Sequence, residues 1–338
     1  MQESFVLGEN LKRIRTLKNI TQSDIANSLG VSRAFICKIE NGQNNPTLST
    51  ITKLCRAVGA TPDELLDSSK VTKKQKGRVA PRKVKAETHT LNDSCSLIHG
   101  DCIHGMATIP DESIDLILTD PPYNLGLFMQ ERDTNLGALR ENHFAVSYWD
   151  HIEQHEWEIN MDEFFKESAR VLKKNASVLI FMSFMKVETL IKIAQANGFY
   201  YKTTGVWHKK NPMPRNMNLH FVNSTEAWVY FINRGKTGTF NNDGKVLHDH
   251  IETSVISVGE KKHGKHPTQK PLALMEYFVK ILANEGDVVL DPFMGSGSTG
   301  LASVLNGRKF HGIELDKNYF NLAKNRLSES VKTSRLFI

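Results

Sequence analysis

Residues 287–300 read Asp287-Val-Val-Leu-Asp291-Pro292-Phe-Met-Gly295-Ser-Gly297-Ser-Thr-Gly300, an apolar strand that runs into a glycine-rich turn and then into a helix reaching Asn306-Gly307. Glycines let a backbone approach a ligand closely, and a turn that opens a helix presents unpaired amides to a negative group. The next strand, Lys309-Phe-His-Gly-Ile313, ends at Glu314, nineteen residues past Gly295. That is close to the ~20 residues expected before an acid that grips ribose hydroxyls. The spacing predicts a ligand with a ribose and an anionic end. Gly295, Gly297 and Gly300 also match the dinucleotide fingerprint, so a nicotinamide dehydrogenase is the first alternative. Against it, that fingerprint usually opens a dinucleotide domain, whereas here it comes almost last.

Upstream, Asp115-Leu-Ile-Leu-Thr-Asp120-Pro121-Pro122-Tyr123 is a second apolar strand, ending in an acid, two prolines and an aromatic. Proline fixes φ, removes a backbone donor and pushes the preceding residue away from helix. The chain therefore leaves the strand in a rigid turn offering acceptors, the Asp120 carboxylate and nearby carbonyls, with the flat face of Tyr123 beside them. Acceptors next to a stacking ring suit a planar base carrying an exocyclic amine. Taken alone, the motif also reads as ordinary turn punctuation. Ser96-Leu-Ile-His-Gly-Asp101-Cys102 is a short strand ending in an acid. A helix over Met161 to Leu172, a buried strand Ser177 to Met182, a helix Val187 to Asn197 and strands near Tyr201 to His208 and Glu226 to Ile232 follow a polar stretch from Leu127 to Glu158. Strands alternating with helices predict an α/β fold, a mostly parallel sheet covered on both faces.

Residues 10 to 66 instead read as helix after helix. Asn10 precedes Leu11-Lys-Arg-Ile14, Thr21 precedes Gln22 to Leu29, and Gly30 breaks the chain. Ser32 caps Arg33 to Ile39, Asn41-Gly42 ends that helix, Pro46-Thr47 opens Leu48 to Val58, and Thr61-Pro62-Asp63-Glu64 opens a last short one. Leu11, Ile14, Ile25, Leu29, Val31, Ile36 and Ile39 form the expected core. Two short helices joined by a glycine turn are the helix-turn-helix pattern. The segment Thr21 to Gly42 resembles the Cro/repressor family, a likeness covering roughly residues 8 to 67. That resemblance implies that Ser32, Arg33 and Lys38 face bases or phosphates in the major groove, with Gln22 near the DNA backbone. It also implies dimeric action on two half-sites; a helical bundle for protein contact is the alternative.

The chain has 338 residues, 40% hydrophobic and 24% charged, the profile of an ordinary globular protein with room for a small domain and a large one. No apolar run approaches the ~18 residues of a membrane span, and the charged amino terminus is not a secretory signal. Cys37, Cys55, Cys95 and Cys102 are scattered, which predicts reduced thiols, a cytoplasmic protein and no zinc site. None of the 13 histidines stands in a His-Glu-x-x-His arrangement, so no metal is required. The net charge is +6, yet Lys70 to Lys85 alone holds eight Lys or Arg and no acid, which leaves the remainder at −2. Such a run marks a solvated linker first and a phosphate contact second. The expected division is a head at 1–67, a basic flexible linker at 68–93 and a large domain at 94–330.

Together the large domain's motifs resemble the S-adenosylmethionine-dependent amino-methyltransferases of DNA over about residues 94 to 328. The motif order, Asp-Pro-Pro-Tyr first and glycine loop last, resembles the β group. Lys265-His-Pro-Thr-Gln-Lys-Pro271 looks like the motif that precedes that group's loop. The resemblance implies a permuted Rossmann-like methyltransferase fold, catalysis at Asp120, Pro121, Pro122 and Tyr123, and S-adenosylmethionine as cofactor. It sets Asp291, Phe293, Gly295, Ser296 and Gly297 around the methionine and ribose, and Glu314 on the ribose hydroxyls. Asp101 and Cys102 would hold the adenine of the cofactor, and Thr268 with Lys270 its carboxylate. Packing roles for Phe293 and Cys102, and a surface role for Lys270, are the alternatives. Aspartate where the family's cytosine enzymes more often carry serine favours adenine N6 over cytosine N4, and the absence of a Pro-Cys motif argues against cytosine C5. The partner implied is double-stranded DNA, read by 127–158 or by 207–263, where Lys209, Lys210 and Arg215 sit with Trp207 among prolines. Such an enzyme fits a restriction–modification system, its head acting on its own promoter or as a tether. A transcription factor whose methyltransferase half only senses cofactor is the non-enzymatic alternative.

Overall fold

A computed structural model describes residues 3–67, 86–124, 152–212 and 221–334, apart from 19, 41–43, 45, 258 and 265. The chain divides into two compact units, Met1–Arg82 and Lys83–Ile338.

The described residues of the first unit form helices joined by turns: α1 Glu3–Leu17, α2 Gln22–Leu29, α3 Arg33–Glu40, α4 Leu48–Val58 and α5 Pro62–Leu66. Thr21 and Thr61 each close a capping box, with Asp24 and Glu64, while Gly30 (φ 69°) ends α2 in the left-handed region where glycine is favoured. Leu11, Ile14, Ile25, Ile36 and Ile39 are buried as expected, and Leu29 and Val31 pack against them partly exposed. Asn10 does not open a helix. The segment from Glu3 is already helical, and the buried Asn10 amide donates to the carbonyls of Leu65 and Asp67, each at 3.1 Å, capping the far end of α5. Gly8 lets α1 approach the end of α3, because a Cβ there would stand 2.4 Å from the Ile39 carbonyl oxygen.

Among the described residues, the second unit is built on a nine-stranded sheet. Its strands are β1 Glu87–Asn92, β2 Cys95–His99, β3 Ile114–Thr119, β4 Leu172–Met182, β5 Phe199–Lys209, β6 Thr225–Asn233, β7 His250–Thr253, β8 Val288–Asp291 and β9 Lys309–Glu314, in the order β1-β2-β9-β8-β3-β4-β6-β5-β7. Parallel pairs link β2, β9, β8, β3 and β4; β6 turns antiparallel between β4 and β5, and β7 runs parallel to β5 at the edge. Residues 87–92, read from sequence as the end of the linker, are instead strand β1, paired antiparallel to β2. The basic run that suggested a linker stops at Lys85; the rest of that linker, 68–85, lies outside the described residues.

Alternation along β3 decides the layering. Leu116 and Leu118 face a core closed by α9 (Leu272–Leu282), α10 (Ser298–Leu305) and α11 (Lys317–Ser334), whereas Ile117 faces one closed by α6 (Cys102–Met106), α7 (Gln154–Val171) and α8 (Val187–Ala196), which Ile114 joins because the register shifts between it and Leu116. Helix α7 begins at Gln154, seven residues before its expected start, because Trp157 is a buried anchor rather than part of a polar loop. The reading of 127–158 as a DNA-reading loop therefore loses 154–158 to this helix, and 125–151 lie outside the described residues.

The chain leaves β8 toward β9 on one side and β3 toward β4 on the other, so β8 and β3 are neighbours at a topological switch point. Open α/β sheets bind ligands at the carboxyl ends of the strands at such a point. Four adjacent strands, β2, β9, β8 and β3, deliver Asp101, Glu314, Asp291 and Asp120 to that edge.

Candidate active site

The turn after β3 folds back on itself. Tyr123 Oη donates to Asp120 Oδ1 at 2.7 Å and to Glu226 Oε2 at 3.3 Å. Lys270 Nζ donates to Asp120 Oδ2 and lies 3.1 Å from Glu226 Oε2, and Lys209 Nζ reaches Glu226 Oε1 at 2.6 Å. Trp157 Nε1 donates to the Pro122 carbonyl at 3.4 Å. Two carboxylates, two ammonium groups and a phenol thus share one largely buried cluster. Burial raises the Asp120 carboxyl; Lys270 works against that rise and Glu226 adds to it. Burial also favours the neutral form of Glu226, but Lys270 and Lys209 outweigh it and hold this acid down at about 2. Burial opposes the charge on Lys270, and the two carboxylates more than compensate, raising its pKa. Lys270 is accordingly a charged partner of both acids, not the surface cation considered above.

The glycine loop lies one strand away. Asp291 Oδ1 accepts from Thr119 Oγ1 at 2.7 Å and from the Phe293 amide at 3.1 Å, which ties the loop to the end of β3. Burial pushes Asp291 up to about 6. Gly295 (φ 50°) and Gly297 (φ 76°) take left-handed conformations, and the Gly295 amide donates to Glu314 Oε2 at 2.9 Å. Glu314 Oε1 accepts from the Asp316 amide at 2.8 Å, and burial raises this acid to about 7. Ser296 is buried, its carbonyl accepting from Arg326 Nη1 at 3.2 Å. Phe293 packs partly exposed against the core under the loop, 5.9 Å from the Phe164 ring.

Other expected site residues have structural partners of their own. Asp101 caps α6, accepting from the Ile103 amide at 3.0 Å, and Cys102 is buried beside it with its thiol pushed up by that burial. Thr268 is exposed, its amide 3.4 Å from His266 Nδ1. Trp207 is a core residue: it points into the sheet's interior and its Nε1 donates to Thr253 Oγ1 at 2.8 Å, so it is not a surface aromatic for DNA. Lys209 is committed to Glu226, whereas Lys210 is exposed and only 3.9 Å from Glu252; Arg215 lies outside the described residues. In the head, Gln22 bridges Arg33 Nε at 3.3 Å and the buried Glu40 at 2.8 Å, and Glu40 also accepts from Arg15 Nη2 at 2.9 Å. Ser32 Oγ accepts from the Phe35 amide at 3.2 Å and so caps α3, whose last turn carries Lys38.

Sequence reasoning missed Glu226, His266 and Arg326. An acid opening the otherwise apolar run Ala227 to Ile232 was the available signal for Glu226. His266 stands in the Lys265 to Pro271 motif, 3.1 Å from where a Cβ on Gly295 would lie, and burial lowers it to about 4. Glu226→Gln removes one of the two acids that share Lys270. For the methyl transfer that the resemblance implies, the expected result is a roughly tenfold or larger loss of turnover with cofactor binding unchanged, the scale of a lost charge-assisted hydrogen bond, checked by steady-state kinetics beside equilibrium binding.

An acid–tyrosine cluster at a switch point, beside a glycine loop and an acid on the next strand, defines a Rossmann-like ligand-binding site. Residues 114–325 match the family model described as DNA methylase, and the chain belongs to that family. Residues 11–65 match a helix-turn-helix model. The chain is 33% identical over 255 residues to the Type II methyltransferase M2.DpnII of Streptococcus pneumoniae, covering 70% of this chain and 91% of that one. Its fold superposes on M1.HpyAVI, solved as a complex with SAM, with a TM-score of 0.50 and 29% identity over 69% of this chain and 99% of that one. The cytosine-N4-specific PvuII DNA methyltransferase is similar in fold, with a TM-score of 0.57 at 20% identity, covering 72% and 91%. The chain is thus a DNA methyltransferase with a helix-turn-helix head.

Proposed function

We propose that this enzyme moves a methyl group from S-adenosylmethionine to the N6 amine of an adenine flipped out of double-stranded DNA at a specific site. The observation that carries the reading is the Asp120–Tyr123 pair at the switch point, beside a glycine loop whose neighbouring strand ends in Glu314. The cofactor fits the residues present. Each Glu314 oxygen accepts one amide, and a carboxylate oxygen has a second lone pair for one hydroxyl of a ribose diol. When bound, S-adenosylmethionine supplies an electrophilic methyl on a sulfonium.

An exocyclic amine is a poor nucleophile because its lone pair is delocalised into the ring. Asp120 and the Pro121 carbonyl accept the two amine hydrogens, which favours a pyramidal nitrogen with a localised lone pair. Tyr123 stacks on the extruded base. Asp120 enters the reaction already held at both oxygens, by Tyr123 and Lys270. Its orientation is thus fixed before the base arrives, and such pre-set positioning supplies much of the rate. The methylated amine gives up a proton, and Asp120, the ionisable group that accepts one of its hydrogens and whose carboxyl is raised by burial, takes it. Incorporation of labelled methyl into plasmid DNA tests this reading; no incorporation sinks it and favours the cofactor-sensing regulator instead.

The enzyme belongs in this reading to a restriction–modification system of the cytoplasm, in keeping with the Type II name of its relative. No helix among the described residues is long and apolar enough to cross a membrane. The head binds DNA as a dimer through Ser32, Arg33 and Lys38, at its own promoter or as a tether, and Lys210, Arg215 and residues 127–151 contact the target duplex. DNase footprinting of the full chain on the DNA upstream of its own coding sequence separates the head's two roles. Protection lost with Arg33→Ala is expected of an autoregulator, and no protection leaves tethering.

A further inference from the structure

We propose that His208, His250 and Glu252 form a binding site for one divalent ion of the zinc, nickel or cobalt class. Strands β5 and β7 pair in parallel with Val206 opposite His250 and His208 opposite Glu252. Side chains of a strand alternate, so positions 206 and 208, with their partners 250 and 252, all stand on one face. On the other face Trp207 and Ile251 are buried, and the Trp207–Thr253 hydrogen bond crosses between the strands. The three side chains therefore rise from a fixed backbone on both sides.

Their geometry suits a common ion. Each of the three offers one donor atom, and these atoms lie within 4.8 Å of one another. His208 Nδ1 is 2.9 Å from Glu252 Oε1, and the two imidazole rings stack at 6.0 Å with 25° between their planes. Two ligands at ~2.0–2.1 Å from one ion, at angles between tetrahedral and square, stand roughly 2.9–3.4 Å apart, the spacing that the hydrogen-bonded His208–Glu252 pair already has. Two imidazoles with one carboxylate select borderline transition ions over magnesium or calcium. The second oxygen of Glu252 keeps Lys210 at 3.9 Å, an outer contact that steadies the ligating carboxylate. Because β7 is the edge strand and His250 and Glu252 are exposed, the remaining coordination positions open to water. An ion here fastens β7 to β5. Neither histidine belongs to a helical motif; the spacing His250-x-Glu252 is that of a strand, and His208 joins it only through the β5–β7 pairing.

The test uses the full chain, stripped with a chelator and titrated with Co2+ and then Zn2+ by calorimetry and visible absorption. The wild type is expected to bind one ion with a Kd of about 10 μM or tighter, and the His208→Ala/His250→Ala double variant to bind it at least about tenfold more weakly. Glu252→Gln weakens it as well while leaving the edge strand's other contacts in place, and unchanged circular dichroism reports that both variants fold. Absence of binding to the wild type overturns the proposal. So does equal affinity in the double variant, which would assign the ion to other histidines among the 13.

Discussion

Asp120→Ala is expected to lower methyl transfer by at least about a thousandfold while the Kd for S-adenosylmethionine changes by less than about twofold, because in the proposed mechanism the residue positions the amine and stands apart from the acid assigned to the ribose. The geometry separates the two effects. Asp120 faces Tyr123 and Lys270, whereas the loop is held by Thr119 on Asp291 and by the Gly295 amide on Glu314. Lys270 keeps Glu226 as a counter-charge after the substitution, so the pocket is not left with an unpaired buried ammonium. Asp120→Asn keeps the shape but offers one acceptor in place of two, and an intermediate rate is expected. Single-turnover kinetics beside equilibrium binding of the cofactor checks both variants. Retained turnover in Asp120→Ala contradicts the assignment.

Glu314→Gln is expected to weaken cofactor binding by about ten- to a hundredfold, the range for a hydrogen bond lost at a charged acceptor. It also changes the pH dependence. Burial raises the folded-state pKa of Glu314 to about 7, above its ordinary 4.5. The group therefore favours the folded chain below pH 4.5, and that contribution is lost as pH rises through 7. Binding has the opposite sign, since ribose hydroxyls donate best to the ionised carboxylate. Affinity of the wild type for S-adenosylmethionine is expected to rise as pH increases from 6 to 8, with proton release on binding. Glu314→Gln should flatten that rise. Isothermal titration at several pH values in buffers of different ionisation enthalpy measures both.

Local chemistry made much of this legible in sequence. The strand-turn-helix around Gly295, the acid at Glu314 and the proline turn after Asp120 each depend on neighbours a few residues away, and each lies where the reading put it. The adjacency of β8 and β3 depends on contacts between residues about 170 apart, such as Thr119 with Asp291, and it was reached only through resemblance. The same distance hid the cluster around Asp120. Lys270 comes to it from 150 residues away and Glu226 from the start of another strand, so no spacing rule links them. The misreadings share a cause as well. Asn10 has the chemistry of a cap but caps a helix 55 residues away, and Trp207 has the composition of a DNA contact but lies on the inward face of β5. Residue type was read correctly; direction was set by packing.

The central claim is that the acceptor is the exocyclic amine of adenine. Unmethylated plasmid DNA incubated with the purified chain and methyl-labelled S-adenosylmethionine, digested to nucleosides and resolved by mass spectrometry, measures it directly. The account predicts label in N6-methyladenine alone, lost with Asp120→Ala. Label in N4-methylcytosine, or none in any nucleoside, contradicts it.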